Sequence, residues 1–166
     1  NYKKIRNQII NSVIKILDPF RFEKWNEVLF NFKEYSFFHS LEWLNLIQKT
    51  YNYKSVGFAL LEQDEIKALL PGFIIDSRLT GRRLVSLPFS DYCEPLFSSS
   101  DDIEQIKKEI FTYSKNKNLS YVEFRSSETK FPFDTQQYRT DLRHILYLNK
   151  NEDGLLKSFS ENNRRN

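Results

Sequence analysis

Arg78, Arg82 and Arg83 crowd around Gly81 in what reads as a turn. A planar guanidinium fork binds phosphate or carboxylate through paired N–H donors, so this cluster suits an anionic ligand. The plainer reading is a solvated hairpin turn, the usual state of surface charge. Further along, Pro88 stops a short apolar strand, Leu84 to Leu87, and Ser90, Asp91 and Tyr92 follow in a polar-aromatic loop. Strand ends that release polar side chains into loops are where sites are commonly built. Asp91 can accept hydrogen bonds from a substrate amine or hydroxyl, or act as a base if burial raises its pKa. The alternative is loop capping, because Ser and Asp bond their own backbone. Glu123 and Arg125 fall on one strand face and can pair with each other, a contact that contributes little if exposed. These eight positions form the candidate substrate-binding set.

No catalytic residue stands out. No Ser/His/Asp or Cys/His order supports a nucleophile. His39 sits beside a helix start and reads as a packed or capping neighbour, and His144 is equally alone. Arg164 and Arg165 lie at the end of the chain, where in a longer protein they can line a groove between domains. A single cysteine excludes an internal disulfide, and the sequence holds no CxxC or Cys/His ligand set, so no metal and no cofactor are expected. Cys93 itself reads as a small buried hydrophobe.

Composition narrows the class. With 25 basic and 22 acidic residues the net charge is +3, too small to argue nucleic-acid binding by itself. The 166 residues suffice for one domain with a real core. The 15 Phe and 9 Tyr point to a core packed with rings where other proteins use Leu and Val. No apolar run approaches the roughly 20 residues of a membrane helix. Asn1 to Leu17 is basic and then apolar, but Gln8, Asn11, Ser12 and Lys15 interrupt it, so it is not read as a signal peptide. A reducing, cytoplasmic setting is the default expectation. The chain has no Met and ends inside what reads as a helix, so a piece of a longer protein is expected.

Periodicity supplies the elements that must position the candidate residues. Ile14 to Leu17 is a short strand stopped by Asp18-Pro19. Trp25, Val28, Leu29 and Phe32 share a helical stripe over Glu23 to Lys33. Ser40 caps a second helix, with Glu42 in its first turn. Tyr53 to Leu61 and Glu65 to Ile75 form a hairpin, and Pro71-Gly72 inside the second strand suggests a bulge or an edge position. Ser98 to Asp102 starts a helix whose buried face is Ile103, Ile106, Ile110 and Tyr113. Leu119 to Phe124 is a strand, Lys130 to Thr140 is irregular, and Leu142 to Leu148 is another strand. A last helix begins at Asn151 to Asp153 with Leu155, Leu156 and Phe159 inward. This is an α/β (α+β) layer fold with a mixed, mostly antiparallel sheet flanked by helices. Its element order resembles that of the GNAT acyltransferase fold.

Four segments sharpen that likeness. Phe38-His39-Ser40-Leu41-Glu42-Trp43-Leu44 resembles the helix start of FemAB-like proteins. Leu84-Val85-Ser86-Leu87-Pro88-Phe89-Ser90-Asp91-Tyr92 resembles their strand end, and Tyr121-Val122-Glu123-Phe124-Arg125 their following strand. Leu155-Leu156-Lys157-Ser158-Phe159 with Arg164-Arg165-Asn166 is similar to the opening of the helix that leads to their second domain. The resemblance spans roughly Ile14 to Asn166 and implies a single GNAT-like domain, residues 1–166, forming the N-terminal half of a two-domain protein. The chain would then end within the linking helix, at about residues 152–166. Characterised members of that family move an aminoacyl group from aminoacyl-tRNA onto an amine of a peptidoglycan precursor. The implied function is the substrate-binding half of an aminoacyl or acyl transferase acting on a cell-wall or cell-surface precursor amine. Aminoacyl-tRNA, that precursor and a second GNAT-like domain are the implied partners. A cytoplasmic location, peripheral to the inner face of the membrane, is implied too. The isolated half is expected to be inactive. A non-catalytic module that holds an anionic sugar precursor is the alternative, and a purely structural domain is a third reading.

One departure bears on the donor. GNAT enzymes that use acetyl-CoA place a Gly-rich turn before the third helix, where backbone N–H groups hold the pyrophosphate. The corresponding stretch is Pro95-Leu96-Phe97-Ser98-Ser99-Ser100-Asp101-Asp102. It lacks glycine and puts two acids where the anion would dock, so CoA binding is not expected there.

Overall fold

A computed structural model describes residues 12–126, 136, 139, 140, 142 and 151–159. All but Leu142 of the expected strand over Leu142 to Leu148, all but Gln136, Arg139 and Thr140 of the irregular stretch from Lys130 to Thr140, and His144, Arg164 and Arg165 lie outside the described residues. The chain divides into two compact units, Asn1–Asp134 and Thr135–Asn166.

In the first unit the elements run β1 (Ser12–Leu17), α1 (Trp25–Leu29), α2 (Leu41–Tyr51), β2 (Lys54–Glu62), β3 (Glu65–Ser77), β4 (Gly81–Val85), β5 (Leu96–Phe97), α3 (Ser100–Asn116) and β6 (Tyr121–Glu123). The sheet order is β1-β2-β3-β4-β6, with β5 pairing the far end of β3. Every pairing is antiparallel except β4 with β6, which α3 connects as a parallel crossover. The mixed, mostly antiparallel sheet expected from the sequence is therefore present.

Strand alternation divides the apolar residues between two cores. Ala59, Leu69, Phe73 and Val85 face Trp25, Leu29, Leu44 and Ile47 of α1 and α2. Val56, Phe58, Leu60 and Leu70 face Ile103, Ile106 and Ile110 of α3. At Gly57 a Cβ would meet the Trp25 ring at 3.1 Å, so the absent side chain is what lets the indole lie on the sheet.

Four expectations change. The first helix is only Trp25–Leu29, not Glu23 to Lys33. From Phe30 to Phe32 each N–H bonds the carbonyl three residues back, a tighter winding that still buries Phe32. Pro71 makes no bulge: β3 runs through it with Pro71 paired to Gly57, and the register shift lies nearer the turn, between Leu60 and Leu61, with Lys67 of β3 as the extra residue. Pro71 falls between the stretch paired to β5 and the stretch paired to β4, where its missing N–H interrupts no ladder on that side. β4 stops at Val85, before Pro88, because Leu87 turns into the left-handed region at φ 50°. Leu119 is not yet strand; its N–H bonds Ser114 O at 2.9 Å and closes the end of α3.

Cap chemistry fixes the two longer helices of this unit. The Ser40 Oγ accepts from Trp43 N at 3.3 Å, as its position before α2 predicts. At α3, Ser99 and Asp102 form a reciprocal box: Ser99 N donates to the Asp102 carboxylate at 2.9 Å and Asp102 N to Ser99 Oγ at 3.4 Å.

In the second unit α4 spans Glu152–Ser158, capped by Asn151, whose Oδ1 accepts from Gly154 N at 2.9 Å. Leu156 and Phe159 were expected inward but are 51% and 38% exposed. A helix of seven residues presents two turns, and none of its residues is buried.

Candidate functional site

The eight candidate residues separate into two groups at opposite ends of β4. Arg78 is exposed in the β3–β4 turn. Arg82 Nη1 donates to Lys117 O at 3.2 Å, and its Nε lies 3.9 Å from Asp76 Oδ2. Arg83 Nη1 donates to Thr80 Oγ1, and its guanidinium lies 5.9 Å from the Tyr121 ring centroid. Alternation along the strand sends Arg82 and Arg83 to opposite faces. The basic turn thus closes the hairpin and ties down the end of α3.

The second group gathers past the C-terminal ends of β4 and β6. From Arg82 to Ser86 is about 13 Å at the usual rise of ~3.3 Å per residue. Ser86 N donates to Glu123 O at 2.9 Å, and Ser86 Oγ accepts from Arg125 N at 2.9 Å. Cys93 N then donates to Arg125 O at 2.6 Å. The parallel strands are thereby laced together beyond their last paired residues. Arg125 Nε donates to Glu123 Oε1 at 3.0 Å, the pairing their shared face predicts, and Nη1 donates to Ser90 O at 3.2 Å. Ser90 is buried and its Oγ donates to Leu87 O at 2.6 Å, so its hydroxyl serves the turn. Asp91 is exposed, and the Tyr92 ring lies edge-on to Phe38, centroids 6.1 Å apart.

His39 is the hub behind this loop. It is fully buried, with Nε2 2.9 Å from Glu94 O and 3.4 Å from Cys93 Sγ. Ser36 N donates to its Nδ1 at 3.1 Å, which assigns the proton to Nε2. Its own carbonyl accepts from Trp25 Nε1 at 2.8 Å. Burial lowers the His39 pKa, against the opposing pull of its Glu94 and Ser36 hydrogen bonds. Burial also pushes the Cys93 thiol well up. A neutral imidazole beside a protonated thiol is a packing pair and not an activated nucleophile. His39 is thus the packed neighbour its position suggests.

A concavity lies outside this hub, between α1 and the start of α2. It has a volume of about 360 Å³ and is lined by Asn26, Leu29, Phe30, Tyr35, Ser36, Phe37, Ser40 and Glu42. Asn26 organises it: Nδ2 donates to both Glu42 carboxylate oxygens at 3.3 and 3.2 Å, while Oδ1 accepts from Leu41 N at 3.0 Å. Hydrogen bonds from its own backbone N–H, from Asn26 and from Ser40 lower the Glu42 pKa. Around this carboxylate stand aromatic rings. Phe30 and Phe37 are 70% and 63% exposed, and Phe30 meets Tyr35 edge-on at 5.3 Å. In the sequence these rings were indistinguishable from core residues.

Comparison with known proteins bears on the fold. No family model and no curated protein matches the sequence. Solved structures do. An acetyltransferase from Trypanosoma brucei aligns over 82% of this chain and 100% of its own, at 16% identity and a TM-score of 0.53. A ribosomal-protein-alanine N-acetyltransferase from Brucella melitensis biovar Abortus 2308 aligns over 82% and 99%, at 7% identity and a TM-score of 0.52. An aminoglycoside acetyltransferase from an uncultured soil metagenomic sample, in complex with trehalose, aligns over 82% and 97%, at 12% identity and a TM-score of 0.50. The chain has the GNAT acyltransferase fold. In this GNAT-like domain the helix that follows β4 and β5 is α3, and its first turn holds the Asp102 carboxylate on Ser99 N, with Asp101 beside it. Among the described residues there is no cluster of His, Cys, Asp or Glu arranged to hold a metal ion. No described helix is long and apolar enough to cross a membrane.

Proposed function

We propose that this GNAT-like domain binds the acceptor of an acyl or aminoacyl transfer, and that the acceptor is a primary amine seated in the pocket between α1 and α2. The observation that carries the reading is the exposed Glu42 carboxylate, held by Asn26 and bordered by Phe30, Tyr35 and Phe37. An ammonium group is attracted both by a carboxylate and by the faces of aromatic rings. Among the described residues the lining includes no Lys or Arg, which favours a cation over an anionic sugar. In the transfer the amine loses its proton, its nitrogen bonds the acyl carbon, and the ester C–O bond breaks. The leaving oxygen takes up a proton. The domain would contribute positioning of the amine.

The FemAB resemblance supports a finer reading, in which the amine belongs to a cell-wall or cell-surface precursor and the donor is an aminoacyl ester. The start of α3 supports a donor other than CoA, because Asp102 already occupies the N–H that a pyrophosphate would seek. Calorimetric titration with a stem peptide carrying a free lysine ε-amine tests the pocket. The peptide should bind, bind weakly once its amine is acetylated, and lose affinity to Glu42→Gln. Equal binding of both peptide forms would overturn the proposal. CoA-induced chemical-shift changes at Ser99 to Ile103 would overturn the part concerning the donor.

A further inference from the structure

The end of α2 carries an arrangement that neither the fold nor the pocket requires. The Tyr51 ring lies 4.3 Å from Phe89 at 15° and 5.4 Å from Tyr53 at 20°, a ladder of three nearly parallel rings. The other ring pairs among the described residues are tilted or edge-on. Edge-on contact suits the ring quadrupole and fills a core well. Parallel stacking leaves a flat face, and this ladder is at the surface: Tyr51 is 44% and Phe89 49% exposed.

Phe89 is also held against its backbone preference. It is the third residue of the turn Leu87-Pro88-Phe89-Ser90, closed by Ser90 N on Leu87 O at 3.4 Å, and its φ is 64°. A proline followed by a residue of positive φ is the type II arrangement, whose third position favours glycine. A bulky side chain there is an outlier, and Leu87, at φ 50°, is a second one in the same turn. Such strain gathers where a side chain is needed in one place. Burial does not account for Phe89, which is half exposed, and glycine would close the same turn without the strain. What Phe89 supplies is an aromatic face.

We propose that the Tyr53–Tyr51–Phe89 ladder is a stacking platform for the nucleobase of a nucleotide. A flat heteroaromatic ring continues a parallel stack, whereas a pyranose is puckered and gains less from parallel rungs. Stacking of this kind tolerates any base, because every base has a π-face. The platform uses residues distinct from the amine pocket, so the two proposals stand or fall separately.

NMR titration of the 166-residue chain with AMP, and with ribose 5-phosphate as the base-free control, tests it. AMP should shift the ring protons of Phe89 and Tyr51 upfield, and ribose 5-phosphate should not. Phe89→Gly, which suits the turn, should keep the thermal midpoint within a few degrees and weaken AMP binding at least tenfold. Phe89→Trp should retain binding. The proposal is overturned if Phe89→Gly binds AMP like the parent. Equal shifts from ribose 5-phosphate, or no shift at Phe89 and Tyr51, would overturn it as well.

Discussion

His39 shows how one side chain can hold several loops without being a catalyst. Its ring joins Ser36 to Glu94, and its carbonyl anchors Trp25, so the turn before α2 and the loop after β4 share one buried group. Desolvation lowers its pKa from the ordinary 6.5. A base with a depressed folded pKa is protonated more readily in the unfolded chain. Its contribution to stability is therefore complete above about pH 6.5 and is lost as pH falls from there through the folded value. Glu42 has its pKa lowered from 4.5 and so loses its own contribution only in a more acidic range. The thermal midpoint should drop between about pH 7 and pH 5. His39→Gln should start lower at pH 7 and show a flatter profile over the same range. An equally steep profile in the variant would assign the drop to another group.

At the scale of elements, the parallel pair β4–β6 is a short part of the sheet and the part nearest the candidate residues. Its register covers only Arg83 to Val85 against Tyr121 to Glu123. Beyond that point the side chain of Ser86, 1% exposed, substitutes for a ladder by accepting from Arg125 N. Ser86→Ala leaves that N–H without its acceptor and should lower unfolding free energy by about 1–3 kcal/mol in a denaturant titration. Hydrogen exchange at Arg125 should quicken more than at Phe58 in the centre of β2. Uniform quickening would mean that Ser86 stabilises the whole fold and not this junction. Ser86 was hidden in the sequence because it looks like one more residue of a strand that continues to Leu87. The longer strands were readable, since β2 and β3 are nearly unbroken apolar runs on either side of a polar Glu62-Gln63-Asp64 turn. α3 was readable too, because Ser99 and Asp102 stand at capping-box spacing ahead of an Ile stripe. The pocket was not, since Asn26 and Glu42 meet only when α1 and α2 fold together. The arginine turn looked like one anion site with the loop after it; folding sends the two to opposite ends of β4.

For the whole molecule the decisive fact is where the cores lie. Every residue described in the two hydrophobic clusters falls between Ile14 and Phe124, inside the first compact unit. The described strands, β1 to β6, lie within that span as well. Helix α4 of the second unit has no buried residue. Cooperative stability resides in shared buried surface, so a helix that buries no residue, as α4, opens at lower free energy than the core. A chain ending at Asp134 should therefore unfold in one transition, with a thermal midpoint within about 3 °C of the 166-residue chain. The slope of its denaturant titration should change little, because that slope follows the surface exposed on unfolding. It should also keep the affinity of the 166-residue chain for the lysine-bearing peptide, since every residue lining that pocket lies between Asn26 and Glu42. A midpoint lowered by 10 °C or more would show that residues after Asp134 complete the core, and the boundary between the two units would then not be a boundary of stability.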